Sequence, residues 1–295
     1  GALTGALVFG EFRARGGSAA LVRFALGVFA MIGALVFLGC PWRACLRLAG
    51  GDGNALLGVA GLLGGIWMGT GFLRRGYSLG RSFRTPAPAG GALAAAMVGV
   101  LVLRFTCPPA AGADALLLYS SKGPGALHAP LVISLAAGLL VGFIAQRSRF
   151  CMVGAFRDLL LFRQPHLGWG VAAMLIVATS VNLLLRQFHP GFSNQPVAHT
   201  QGLWNFSGMA LAGLAFTLAG GCPGRQLVLS GEGDGDAALF VIGMMTGAAL
   251  SHNLNLAASP AGIGPHSLTA LAIGFSGCLL IGLTMRQRTT PGERA

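Results

Sequence analysis

Long apolar runs that carry almost no charge constrain this chain more than any other feature of its sequence. Of its 295 residues, 54% are hydrophobic and only 9% are charged, whereas soluble domains carry about a quarter charged residues. Several uncharged runs approach or exceed the roughly 20 residues that cross the hydrocarbon core of a bilayer. The sequence therefore predicts an all-α polytopic membrane protein, with the lipid bilayer as its first partner.

The apolar runs predict about eight full membrane spans and one partial span. The partial span covers residues 1–10, and the full spans lie near residues 19–38, 54–73, 89–104, 128–145, 168–187, 202–220, 236–256 and 267–285. A further apolar stretch, residues 151–162, is too short to cross, and we interpret it as a half-helix or re-entrant element.

The net charge of +12 is carried by arginines that lie mostly between the apolar runs. Because no basic stripe alternates with aromatic residues, the charge does not indicate a nucleic-acid partner. If each full span crosses once and residues 151–162 do not, the strongly basic connections share one side. The opposite loops, residues 105–127, 188–201 and 257–266, contain no arginine. The positive-inside rule then predicts a multi-pass protein with a cytoplasmic C-terminus.

Two similar strings interrupt the apolar pattern, GCPWRACLRLAGGDG at residues 39–53 and GCPGRQLVLSGEGDG at residues 221–235. They align without a gap and share Gly-Cys-Pro, a following arginine and Gly-Asp-Gly. The predicted topology makes the chain enter them from opposite sides of the membrane, which is typical of an inverted-topology repeat. We expect a first half at residues 1–110 and a second half at residues 111–295, together forming one transmembrane domain.

The second half has a further motif, RSRFC, in which Cys151 precedes Cys222 by 71 residues. The corresponding point of the first half falls about 31 residues before Gly1. We therefore expect the first half to lack its opening helix and half-helix.

The Gly-Cys-Pro segments have the residue types that a broken membrane helix needs. Proline cannot continue a helix, and freed backbone groups are tolerated in a membrane only inside protein or beside a wet cavity. A helix that restarts after the proline directs its amide groups at the break, where an anion is stabilised. An arginine adds positive charge and a thiol adds a polarisable contact, which together suit a soft sulfur- or selenium-bearing anion. The residues concerned are Cys40, Pro41, Arg43, Cys222, Pro223 and Arg225.

A plainer interpretation of each segment stays open, namely a loop with a turn proline, a snorkelling arginine and a small buried cysteine. Arg147 and Arg149 either attract anions to the start of the Cys151 element or only anchor the topology. Arg157 and Asp158 are expected to pair with each other or to cap the element at residues 151–162. Cys45 either assists Cys40 or simply packs.

Three further expectations are structural. The glycines at positions 61, 64, 65, 69 and 71 suit close helix packing. His128 and His199 begin spans and are interpreted as interfacial. The cysteines show no CxxC pair or zinc-type spacing, and neither a Walker motif nor a dinucleotide fingerprint is present. We therefore expect no metal, no cofactor and no enzymatic activity.

RSRFCMVGAFRDL, GCPWR and GCPGRQLVLSGEGD, with the inverted halves, resemble the YeeE/YedE sulfur-transport family of bacterial inner-membrane proteins. FGEFRARGGS, HAPLVISLAAGLLVGFIAQRSRFC and AHTQGLWNF are similar to its YedE-like branch associated with selenium metabolism. The resemblance implies an hourglass of two pseudo-symmetric halves, with cysteines of the re-entrant segments lining a narrow path. Matched residue by residue, the resemblance implies that Cys40, Cys151 and Cys222 line this path, although the first-half counterpart of Cys151 is absent. It also suggests a TusA-like cytoplasmic sulfur-carrier protein as a partner.

The resulting hypothesis is an inner-membrane permease that passes a small sulfur or selenium anion along cysteines. The alternative is a membrane thiol oxidoreductase or electron-transfer subunit, which needs a cysteine pair close enough to form a disulfide. A structural or assembly subunit is a third interpretation, disfavoured by the matched polar breaks in the two halves.

Overall fold

The computed structural model describes residues 1–107, 126 and 129–286, and most of these residues are helical. The helices are α1 (Ala2–Val8), α2 (Ala20–Phe37), α3 (Pro41–Ala49), α4 (Gly53–Arg74), α5 (Ala87–Thr106), α6 (Leu131–Ser148), α7 (Met152–Phe162), α8 (His166–Leu184), α9 (Gly202–Ala219), α10 (Pro223–Gly231), α11 (Gly235–Asn253) and α12 (Ser267–Thr284). Two short strands, β1 (Arg15–Gly16) and β2 (Phe83–Arg84), pair antiparallel.

Seven segments of the described chain are long and apolar enough to cross a membrane. Three of them, residues 20–49, 131–162 and 202–231, consist of a long helix followed by a short one. The prediction of an all-α polytopic membrane protein is confirmed. Helix α11 occupies the remaining predicted span, but it is not among the seven segments, and Asp236 and His252 lie in its first and last turns.

The described chain divides into two compact units that are interleaved in sequence. One comprises Gly1–Gly16, Phe83–Arg149 and Leu227–Ala238, and the strand pair and an Arg15–Asp234 ion pair of 2.8 Å lie within it. In this unit the side chain of Gln146 on α6 donates to Glu11.

The other unit comprises Gly17–Ser82, Phe150–Gln226 and Leu239 onward. Helix α9 lies at its centre, with 13 of its 18 residues buried, and it packs mainly against α4 and α2. A helix surrounded by protein needs an apolar surface on all sides, and the sequence of α9, GLWNFSGMALAGLAFTLA, provides it.

Glycines let the backbones of α4 and α9 approach closely. A Cβ atom added to Gly61 would collide with the carbonyl of Phe206, one added to Gly65 with the carbonyl of Ala210, and one added to Gly69 with Thr217. Small residues at such interfaces bring membrane helices close together. The expected packing role is therefore confirmed for these three glycines. By contrast, a Cβ on Gly71 would meet nothing within 4 Å.

Replacing Gly65 with alanine is expected to destabilise the protein by about 1–3 kcal/mol, because the added methyl group forces α4 and α9 apart. The control is Gly71→Ala in the same helix, which adds the same methyl group to open space. Thermal unfolding in detergent should show a lowered midpoint for Gly65→Ala only. Equal midpoints for the two variants would contradict the packing proposed for this helix pair.

Candidate functional site

Each Gly-Cys-Pro segment forms a break between a long helix and a short one. Helix α2 ends at Phe37, and α3 restarts at Pro41 with Cys40 as its extended N-cap residue. Helix α9 ends at Ala219, and α10 restarts at Pro223. Proline suits the first helical position because the missing N–H has no intrahelical partner there. The expected restart of the helix after each proline is confirmed.

A third short helix begins in the same way. Arg149 ends α6 in the left-handed conformation, and α7 starts at Met152 with Cys151 as its N-cap residue. The Cys151 sulfur accepts a hydrogen bond from the backbone N–H of Gly154 at 3.2 Å. Three short helices of at least nine residues therefore begin directly after a cysteine.

Two of these helix starts meet through their cysteines. The backbone N–H of Cys222 donates to the Cys151 sulfur at 3.4 Å. The Cys222 sulfur lies close enough to the Cys151 thiol, and to the backbone N–H groups of Met152 and Arg225, to interact with each of them electrostatically. Cys151 is 6% exposed and Cys222 is fully buried. Two positive helix ends thus converge on one buried pair of thiols.

More sulfur atoms extend this pair towards α3. The Cys45 thiol lies 3.9 Å from the Met152 sulfur, and it is close enough to Cys40 for the two thiols to interact electrostatically. Cys45 is buried, whereas Cys40 is half-buried. Cys45 thus lies near both Cys40 and Met152, and its role in assisting Cys40 stays a prediction. We refer to Cys40, Cys45, Cys151, Met152 and Cys222 as the sulfur cluster.

Two aromatic side chains lie at the same place. The rings of Trp42 and Phe150 pack edge to face with centroids 5.5 Å apart, and the Trp42 side chain reaches the Cys222 thiol. Trp42 and Met152 are not among the site residues that the sequence predicts. Their positions could have indicated them, since Trp42 directly follows Pro41 and Met152 directly follows Cys151.

The broken end of α2 is satisfied by groups from outside the helix. The Leu35 carbonyl accepts from the Ala258 N–H at 3.1 Å, and the Val36 carbonyl bonds to His199 Nε2 at 2.8 Å. The Phe37 carbonyl accepts from Arg47 Nη1 at 3.0 Å. His199 was interpreted as interfacial, and this was wrong, since only 2% of it is exposed and the helix end holds it. His128 lies outside the described residues.

The end of α9 is completed by an equivalent set of donors. Tyr77 Oη donates to the Leu218 carbonyl at 3.1 Å, and Arg23 Nη1 donates to the Ala219 carbonyl at 3.4 Å. Arg157 reaches the Gly220 carbonyl at 3.5 Å and also pairs with Asp158 at 2.9 Å, as expected. Burial raises the pKa of Tyr77, so its hydroxyl remains a donor. Cations at the C-terminal ends of helices are electrostatically favourable.

The candidate arginines occupy different surroundings. Arg43 is exposed and lines a cavity of about 500 Å³, and Arg225 folds back against Gly221. Arg147 pairs with Glu11 at 3.3 Å and lies over the Phe9 ring, within its own compact unit. Arg149 is exposed at the end of α6. The anion-attracting role of the last two arginines stays a prediction.

Among the residues with described coordinates, no group of three or more His, Cys, Asp or Glu side chains could hold a metal ion. The chemistry of the site is that of thiols, a thioether, helix N-termini and arginines. Such groups bind anions and soft atoms reversibly.

The fold and the sulfur cluster together define a multi-pass membrane protein with thiols placed at helix breaks. Residues 147–285, just under half of the chain, match the model of the sulphur transport family. This region contains Cys151, Cys222 and the second Gly-Cys-Pro segment. The match supports the resemblance to the sulfur-transport family seen in the motifs.

Two curated relatives carry the same name. The chain is 30% identical over 105 residues to the thiosulfate transporter TsuA of Escherichia coli strain K12, covering 35% of this chain and 29% of that protein. It is 34% identical over 99 residues to the thiosulfate transporter TsuA of Spirochaeta thermophila, covering 34% and 29%. The similarity thus spans less than a third of each relative's length. No solved structure matches the chain.

The His199 contacts make a pH-dependent prediction. Its Nδ1 accepts from the Gln201 N–H while Nε2 donates to Val36, so the site suits the neutral ring. Burial lowers the pKa of His199 in the folded protein. As the pH falls past the ordinary histidine pKa of about 6.5, the unfolded state binds more protons than the folded state. The free energy of unfolding therefore decreases in this pH range.

The unfolding midpoint of the unmodified chain should therefore fall more between about pH 7.5 and about pH 5.5 than that of His199→Gln. His252→Gln, at the exposed end of α11, is the matched control and should keep the full pH dependence. A pH dependence unaltered by His199→Gln would contradict the assignment of the neutral ring.

Proposed function

We propose that this chain is a permease of the bacterial inner membrane that carries a small sulfur-containing anion. The proposal is supported by the match of residues 147–285 to the sulphur transport family and by the similarity to two thiosulfate transporters. We further propose that membership of the family extends over the whole chain, since the first Gly-Cys-Pro segment repeats the motif of the second.

The observation that carries the proposal is the cluster of sulfur atoms at helix N-termini. Cys151 and Cys222 contact each other, and Cys45 and Met152 extend the cluster towards Cys40. A substrate with a terminal sulfur would exchange contacts from one thiol to the next, with no covalent bond formed or broken. Passage requires binding that is weak and shared among several sites, and thiols supply weak donors and polarisable acceptors.

The negative charge of the substrate is offset by elements that the same motifs build. Helices α7 and α10 direct their N-terminal N–H groups at the thiol pair, which favours an anion there. Arg43 and Arg225, one in each Gly-Cys-Pro segment, contribute full positive charges in this mechanism. Pro41 and Pro223 serve it indirectly, because they fix where the short helices begin.

The finer parts of the proposal rest on the sequence alone. They are a selenium species as a second substrate, a TusA-like sulfur carrier as a cytoplasmic partner, an inverted repeat with re-entrant segments and a cytoplasmic C-terminus. Residues 287–295, which include the C-terminus, lie outside the described residues.

Replacing Cys222 with alanine is expected to reduce thiosulfate uptake by at least about tenfold, because the buried pair loses one of its two thiols and the substrate loses a contact. Cys40→Ala is expected to have the same effect. Uptake of radiolabelled thiosulfate by cells that express the gene, normalised to membrane-inserted protein, measures both variants.

Cys278→Ala is the matched control. Cys278 is fully buried in α12, as Cys222 is buried at its break, but it is not part of the sulfur cluster. Uptake should be unchanged in this variant. Normal uptake by both Cys40→Ala and Cys222→Ala would sink the transport mechanism.

One observation favours a second candidate, a membrane thiol oxidoreductase. The contact between Cys151 and Cys222 brings two thiols together, as disulfide formation requires. The two functions differ in the redox state that they need. Thiol labelling after mild oxidation should detect loss of both thiols together if the pair is a redox couple, whereas a transport path needs both thiols to stay reduced.

A further inference from the structure

A groove of about 290 Å³ lies beside the C-terminal part of α4. It belongs to the unit that contains the sulfur cluster, but neither Gly-Cys-Pro segment lines it. Its lining comes from α4 and the residue that follows α4, and Leu279 of α12 completes it. Trp67 and Leu279 are 66% and 40% exposed. The groove therefore opens on the outer surface of two helices that are long and apolar enough to cross a membrane.

The floor of the groove is apolar and is kept open by Gly71. A Cβ atom added to Gly71 would meet nothing within 4 Å, whereas one added to Gly65 would collide with α9. Gly71 thus has no packing role, and its missing side chain leaves space on the outer side of α4. The Thr70 hydroxyl donates back to the Trp67 carbonyl at 2.7 Å. The floor therefore suits a lipid acyl chain, which is as apolar as a leucine side chain.

Two arginines close the groove at the depth of the lipid headgroups. Arg74 is the last residue of α4, and Arg75 is its C-cap residue. The 22 residues of α4 extend about 33 Å, which matches the hydrocarbon core of about 30 Å and places the last residues at its edge. Trp67 lies about two helical turns deeper. The groove thus joins a cationic rim to an apolar floor, as a phospholipid joins a charged headgroup to apolar chains.

The positive charge of the rim is not neutralised by the described residues. Neither Arg74 nor Arg75 forms an ion pair among them, and the groove lining contains no carboxylate. Nη2 of Arg74 donates to the Leu160 carbonyl at 2.7 Å, which holds this guanidinium at the rim. Asp158, on the same helix as Leu160, is already paired with Arg157. A negatively charged headgroup is therefore the complementary partner.

A role as topology anchors alone would account for the two arginines but not for the groove. Arg81 belongs to the same basic connection and is exposed as well, yet it does not line the groove. Basic residues near a membrane surface attract anionic lipids in general, whereas basic pockets between membrane helices bind individual headgroups. The apolar space beside Gly71 places Arg74 and Arg75 in the second class.

We propose that this groove binds one anionic phospholipid, with its phosphate held by Arg74 and Arg75 and one acyl chain lying against Gly71. Guanidinium groups form charge-assisted hydrogen bonds with phosphate oxygens. Arg74 also holds the last turn of α7, the short helix that begins after Cys151. The same guanidinium therefore links the lipid to that helix. The lipid site goes beyond the proposed function, because it stands whether or not the chain carries a sulfur anion.

Retention of phosphatidylglycerol by the purified chain in detergent tests the proposal, with native mass spectrometry as the measurement. The unmodified chain should retain one phosphatidylglycerol molecule and should lose phosphatidylcholine with the same acyl chains. Arg75→Gln should weaken the retention of phosphatidylglycerol about fivefold, because one cationic contact is removed. Arg81→Gln removes an exposed charge outside the lining and should retain the lipid as the unmodified chain does.

A second pair of variants tests the contact with the acyl chain. Gly71→Leu fills the groove and should weaken retention of phosphatidylglycerol at least as much as Arg75→Gln does. Gly99→Leu adds the same side chain to open space on α5 and should leave retention unchanged. Undiminished retention in Gly71→Leu would show that the site binds only a headgroup anion, and it would overturn the lipid proposal.

Three further results would also overturn the proposal. They are equal retention of the two lipids, equal retention of phosphatidylglycerol in Arg75→Gln and Arg81→Gln, and lipid-free dimers in which a second copy of the chain covers the groove. Arg75 is exposed and Gly71 is half-buried with open space around its Cα atom. The variants therefore change the groove without removing a buried contact.

Discussion

The structure depends on how two helices can stop inside a membrane protein without leaving their last carbonyl groups unsatisfied. Unpaired backbone groups cost several kcal/mol where water is excluded. At α2 the partners are Arg47, His199 and the Ala258 N–H, and at α9 they are Tyr77, Arg23 and Arg157. All of these donors lie outside the helix whose end they complete. Each break is therefore stabilised by tertiary contacts. Because these contacts satisfy the end of the long helix, the short helix that follows can begin where its proline places it.

The same breaks explain what a cysteine does at the start of a short helix. A residue at the start of a short helix faces N–H groups that have no partner in the helix, and a serine or aspartate would satisfy them strongly. Cys151 accepts such an N–H from Gly154 only weakly, through sulfur at 3.2 Å. A weakly satisfied helix end retains capacity for a passing anion. In the proposed transport path, the thiols thus satisfy the helix N-termini weakly and leave these N–H groups able to bind a substrate anion.

Much of the chemistry was predictable because it resides in local sequence. The repeated Gly-Cys-Pro segments indicated breaks, and proline enforces a helix start wherever it stands. Arg47 and Met152 were not predicted, since each acts through a partner outside its own helix. His199 was misjudged for the same reason, because its position at the start of a span suggests an interface, and only the end of α2 gives it a buried partner.

By itself, the sequence determined that this is a helical multi-pass membrane protein and where its helices restart, because apolar run length and proline act locally. Only the tertiary structure decided that Cys151 meets Cys222, that the Cys45 thiol lies beside Met152, and that Arg47 donates to the broken end of α2. Those facts depend on which helices pack together. Packing in a membrane is set by close fit, as at Gly65 against α9, rather than by any pattern visible along one segment.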